Sequence, residues 1–139
     1  MTRTRSRHLH DALTGQHLTF LQTRRDTDGA LLQVEVRLEA GGLVPRHVHV
    51  RQDERVTVLD GTLVAGVGRN EHTLHAGDTL DVPRRAVHVV RNGGDVEARF
   101  LLDVRPARRM QGAMQAVFAV TGAMAPVVRL ARRVRRRRR

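Results

Sequence analysis

Histidine and glutamate carry most of the chemistry open to this chain, and four of them are spaced to act together. His47 and His49 stand two residues apart, and on a strand residues i and i+2 project to the same face, so both imidazoles can meet one metal ion. Glu54 follows after a short bend, near enough to add a carboxylate oxygen from the next strand. It shares its parity with Val56 and Val58, which aims it at the core. Further along, His88 shares a face with Val90 and can close the set from a distant strand. Three imidazoles and one carboxylate suit a divalent transition metal: Fe, Mn, Ni, Cu or Zn. Four protein ligands on an octahedral ion leave about two positions open for water, dioxygen or a chelating substrate. A lone His-x-His on a strand is ordinarily surface histidine, so Glu54 and His88 are what separate this pattern from the ordinary one. The remaining histidines read as ordinary: His8 and His10 in a basic, solvated tail, and His17, His72 and His75 at strand ends or turns.

The absences narrow the chemistry. The chain of 139 residues has no cysteine, so it has no disulfide frame, no thiolate metal site and no cysteine nucleophile. Every one of its 25 basic residues is arginine, which removes Schiff-base catalysis and the lysine of a phosphate loop. Three phenylalanines are the only aromatics, leaving little for stacking nucleobases or flat ring substrates. The formal charge of +11 invites a nucleic-acid reading, but it is unevenly placed. Arg3, Arg5 and Arg7 open the chain, and residues 108–139 hold ten arginines and no acid. The body between them sets twelve arginines against all fourteen carboxylates and is close to neutral.

Those side chains need strands to hold them, and the body supplies a strand pattern. Leu32, Val34, Val36 and Leu38 alternate with Gln33, Glu35 and Arg37, the period-2 signature of a half-buried strand. Further strands are expected at 55–59, 62–67, 79–82, 87–91 and 96–104. Between them lie turn chemistries such as Asp60-Gly61, Arg69-Asn70, Ala76-Gly77-Asp78 and Asn92-Gly93-Gly94-Asp95. Many short strands at near-regular spacing indicate an all-β barrel or sandwich.

The two segments Gly41-x5-His47-x-His49-x4-Glu54-x6-Gly61 and Gly77-x5-Pro83-x4-His88-x3-Asn92 resemble the paired motifs of the cupin superfamily. The likeness covers roughly residues 15–105 and is nearest to the small single-domain, quercetinase-like type. It implies a small antiparallel β-barrel (a double-stranded β-helix, or jelly roll) with a C-terminal helix. It also implies a metal in the mouth of the barrel, held by His47, His49, Glu54 and His88. The expected organisation is a basic N-terminal tail over 1–15, the barrel over 16–105, a helical segment over 106–130 and an Arg-rich tail over 131–139. Arg85 departs from the motif, which has glycine there. Either the turn takes another shape, or Arg85 leans over the pocket mouth.

Two functions of different class follow from the resemblance. One is a dioxygenase-type oxidoreductase acting on a small oxygenated substrate, with Glu54 doubling as a catalytic proton acceptor if it leaves the metal. The other is a noncatalytic cupin that binds or senses a small ligand. Sugar-nucleotide epimerases of this fold rely on a tyrosine, which this chain lacks. A homodimer is expected from the resemblance. No apolar run follows the basic start, so a cytoplasmic location is expected. Residues 110–128 are uncharged, which leaves a membrane span, a surface-lying segment or a barrel-packed helix open. Met110, Met114, Val117, Phe118 and Thr121 have the spacing of a helix face, which favours the packed helix. The terminal arginines bind phosphates nonspecifically, so nucleic acid is at most a salt-sensitive partner of the tail.

Overall fold

A computed structural model describes residues 7–120. Ten strands follow one another: β1 (His8–Asp11), β2 (Gln16–Gln22), β3 (Leu32–Leu38), β4 (Leu43–His47), β5 (Asp53–Asp60), β6 (Thr62–Val67), β7 (Asn70–His75), β8 (Thr79–Val82), β9 (His88–Asn92) and β10 (Ala98–Arg105). One helix, α1, occupies residues 110–120. The strands form two antiparallel sheets, a six-stranded one in the order β1-β2-β3-β10-β5-β8 and a four-stranded one in the order β4-β9-β6-β7. No strand pairing among the described residues joins the sheets, so the arrangement is a jelly roll of two facing layers rather than a closed barrel.

Alternation along each strand decides what lies between the layers. β3 buries Leu32, Val34, Val36 and Leu38 and turns Gln33, Glu35 and Arg37 outward. β10 lies between β3 and β5, and Val104 and Phe100 join the same core. Gly61 turns the chain from β5 into β6 at φ +79°, and a Cβ there would lie 2.9 Å from the Ala98 Cα, so two backbones pass too closely for any side chain. α1 lies against the core through Met110 and Phe118, with Met114 packed beside them. No helix among the described residues is long and apolar enough to cross a membrane.

Three expectations need correction. Residues 8–11, assigned to the basic N-terminal tail, form β1 and pair in register with β2, while His8 and His10 remain exposed as expected. There Asp11 is buried, accepting hydrogen bonds from the Leu13 amide and the Thr14 hydroxyl, while His10 stacks on His17 at 4.0 Å. Asn70, read as a turn residue, begins β7. β1 and β7 are both edge strands, with few inward positions to fill and little apolar alternation to betray them. Arg85 takes neither expected course: it adopts φ 71°, so the turn keeps its glycine shape with an arginine in it, and the side chain does not line the cavity. Thr121, the remainder of the 106–130 segment, and the Arg-rich tail with its membrane and phosphate readings lie outside the described residues.

Candidate metal centre

β4 ends at His47, and His49 lies just beyond it, yet the two rings stay on one side with centroids 4.7 Å apart. Glu54 is the second residue of β5 and is buried with Val56 and Val58 on the inward face. His88 opens β9 opposite His47 and is buried with Val90. All four anticipated ligands therefore meet between the two sheets, with one ligating atom of each lying within 4.8 Å of the others. Metal–ligand bonds of about 2.0–2.2 Å need only slightly closer donors, a contraction that side-chain rotation can supply.

Backbone carbonyls orient the rings. His47 Nδ1 lies 2.6 Å from the Pro45 carbonyl and His88 Nδ1 lies 2.9 Å from the Ala86 carbonyl. Each ring thus donates from Nδ1 to a residue two positions earlier, leaving Nε2 directed into the cluster, as metal-binding histidines require. Glu54 divides its carboxylate between neighbours, with Oε1 2.9 Å from His49 Nε2 and Oε2 3.1 Å from His88 Nε2.

The titration behaviour follows from this packing. Burial pushes the Glu54 carboxyl up, but hydrogen bonds and charge from His49 and His88 prevail and hold it at about 2. Burial pushes His88 down, and its bonds to Glu54 and Ala86 overcome this and leave it raised. His47 is lowered chiefly by burial, which favours the neutral ring. In the metal-free protein, Glu54 bonds to His49 and His88, two of the donors that a cation would otherwise gather. The donor set and its carbonyl-oriented rings fit a divalent transition metal.

The cluster forms the floor of a cavity of about 320 Å³. Its walls include parts the sequence did not mark for function, namely Gln16, Arg46 and the helix residues Met110 and Met114. Gln52, also unmarked, is buried two residues before Glu54, and its Nε2 donates to the carbonyls of Pro106 and Ala107 at 2.9 and 3.0 Å. It ties the approach to α1 to the strand that carries Glu54. A second group, His10, His17 and Glu39, lies on the six-stranded sheet, with both His Nε2 atoms 3.5–3.6 Å from one carboxylate oxygen. It is half-exposed and separate from the cavity.

The family model for the cupin domain matches residues 34–104. Among curated proteins, germin-like protein 5-1 of Oryza sativa subsp. japonica is 41% identical over 63 residues, 42% of this chain and 28% of that protein. The tetracenomycin polyketide synthase protein TcmJ of Streptomyces glaucescens is 32% identical over 80 residues, 58% of this chain and 52% of that protein. The chain thus spans about half or less of these two relatives. Among solved structures, KdgF from Halomonas sp. superposes with a TM-score of 0.66 at 18% identity, covering 74% of this chain and 89% of that one.

Proposed function

The chain belongs to the cupin domain family, and from that premise we propose that it is a metal-dependent oxidoreductase of dioxygenase type acting on a small oxygenated compound. The observation that carries this reading is the convergence of His47, His49, Glu54 and His88 at the floor of a cavity of small-molecule size. Those four residues would hold the ion. When bound, a redox-active ion of this kind supplies Lewis acidity together with open positions for dioxygen and a chelating substrate.

The protein's own groups set the rest. The carbonyls of Pro45 and Ala86 hold the His47 and His88 rings with Nε2 directed into the cluster, from where it would ligate. The cavity wall above them is chiefly apolar. In the metal-free protein Glu54, held at about 2, is a poor base while both imidazoles bond to it. With an ion bound it would be a ligand, and it would accept a proton from substrate only on leaving the ion, where burial alone favours the protonated carboxyl.

The wall also supports the second reading, a ligand-binding cupin without turnover, since among the described residues Gln16 and Arg46 are the only polar side chains lining the cavity besides the cluster. Protein purified without a metal-affinity tag should carry close to one transition-metal ion per chain, lost in His47→Ala and Glu54→Ala. Oxygen consumption with a panel of oxygenated compounds, abolished in His88→Ala, supports the oxidoreductase. Saturable ligand-induced stabilisation without oxygen consumption supports the binding protein. Wild-type protein as empty of metal as both variants overturns the metal centre.

A further inference from the structure

The cavity above the cluster has one polar end and chiefly hydrocarbon walls. Val36, Val56, Val90 and Phe100 face it from the two sheets, and Met110, Met114 and Phe118 close it from α1. Of the two polar side chains on the wall, Gln16 already donates from Nε2 to the Thr14 hydroxyl at 2.9 Å, and Arg46 is exposed. A small dianion or a polyhydroxylated sugar would lose its hydration against these walls and find few partners there. An apolar body gains from the same burial. A cavity of about 320 Å³ is within the range of small-molecule sites.

Resting on the metal-site reading above, we propose that the cavity takes an apolar, chiefly aliphatic compound that presents a chelating oxygen pair at one end, and that α1 is the wall that selects it. The oxygen pair meets the polar floor, and the hydrocarbon body lies between the sheets and the helix. Methionine suits such a wall because its unbranched thioether refills irregular space around ligands of differing shape. Met110 and Met114 lie one helical turn apart on the face that looks into the cavity.

Straight-chain hydroxamates test this directly, since the head group chelates divalent metals through two oxygens while the tail length is varied. The full chain, loaded with Ni(II) and checked by elemental analysis, is titrated with the series from acetohydroxamate to octanohydroxamate. Affinity should rise roughly threefold to fourfold with each methylene until the cavity is filled. In Met114→Gln the octanohydroxamate-to-acetohydroxamate affinity ratio should fall severalfold. A series that binds metal-loaded protein with flat affinity overturns the proposal while leaving the metal centre intact. An unchanged ratio in Met114→Gln overturns the role of α1. A chain that retains no nickel overturns the metal centre instead, and the cavity is then decided in metal-free protein. There, the ε-methyl resonances of Met110 and Met114 should shift saturably on addition of 1-octanol, and their failure to move overturns the apolar site.

Discussion

Asn92 holds β9, the strand that delivers His88, and replacing it should cost far more than its size suggests. The side chain is buried, and its Nδ2 lies 3.1, 3.2 and 2.7 Å from the carbonyls of Leu38, Glu39 and Val96. Its Oδ1 accepts from the Gly94 amide at 2.9 Å. One side chain thus fastens the end of β9 to the turn after β3 and to the loop before β10. A net hydrogen bond is worth roughly 1 kcal/mol, and a buried group left without its partner costs about 1–3 kcal/mol. Several such bonds fail together in Asn92→Ala, but the outer carbonyls can recover water, so the expected loss is about 2–4 kcal/mol. For a chain of this length that corresponds to a fall in Tm of roughly 8–15 °C. Asn92→Asp separates donation from packing, because it keeps the shape and places an anionic oxygen against three carbonyls. At neutral pH it should lose at least as much as Asn92→Ala. The folded protein raises the pKa of the new carboxyl, so folded chains bind more protons than unfolded ones and the variant should regain stability as pH falls. Urea unfolding of the metal-free proteins at several pH values gives both quantities. Losses below about 1 kcal/mol in both variants would refute the view that this side chain fastens β9.

Other perturbations follow from the same geometry. Gly61→Ala forces a Cβ to within 2.9 Å of the Ala98 backbone at φ +79° and should cost on the order of 2 kcal/mol or more by calorimetry; a neutral result would mean that the β5–β6 turn relaxes freely. Arg85→Gly relieves left-handed strain at φ 71° but loosens the unfolded chain, so a gain of at most about 1 kcal/mol is expected, and a clear loss would show that the arginine side chain contributes to stability. In the metal-free protein, the Glu54 carboxyl is held at about 2 against an ordinary 4.5, so its stabilisation is complete above 4.5 and disappears as pH falls toward 2. The stability advantage of wild type over Glu54→Gln should shrink across that window, and a constant difference contradicts the assignment. Chelator treatment of metal-loaded protein should lower Tm in wild type and leave Glu54→Ala unmoved, since metal stabilises by mass action only where it binds.

Which way each member of the cluster points was legible because that rests on short-range geometry. His47 and His49 share a side although His49 lies beyond the end of β4, Glu54 shares parity with Val56 and Val58, and His88 with Val90. The near-neutral body and the sandwich of short strands were readable for the same reason, since composition and period-2 patterning are local properties of the chain. The edge strands β1, β4 and β7 escaped notice because a strand with one paired side and few buried positions writes little hydrophobic pattern into its sequence; β8, also an edge strand, was expected at 79–82, and the inner strand β2 was not singled out. β1 forms even so, through pairing with β2 and the capping of its turn by Asp11.

What needed the folded chain is everything built from distant partners. The bonds of Asn92 to Leu38 and Glu39, and of Gln52 to Pro106 and Ala107, cross more than fifty residues of sequence. No local spacing encodes them, because they depend on how two sheets and a helix pack. The character of the cavity has the same origin. Helical periodicity showed that Met110, Met114 and Phe118 share a face, but that this face borders an apolar space over the His/Glu cluster follows only from where α1 comes to rest. Alternation along the chain sets which way a side chain points, and packing between layers sets what it meets.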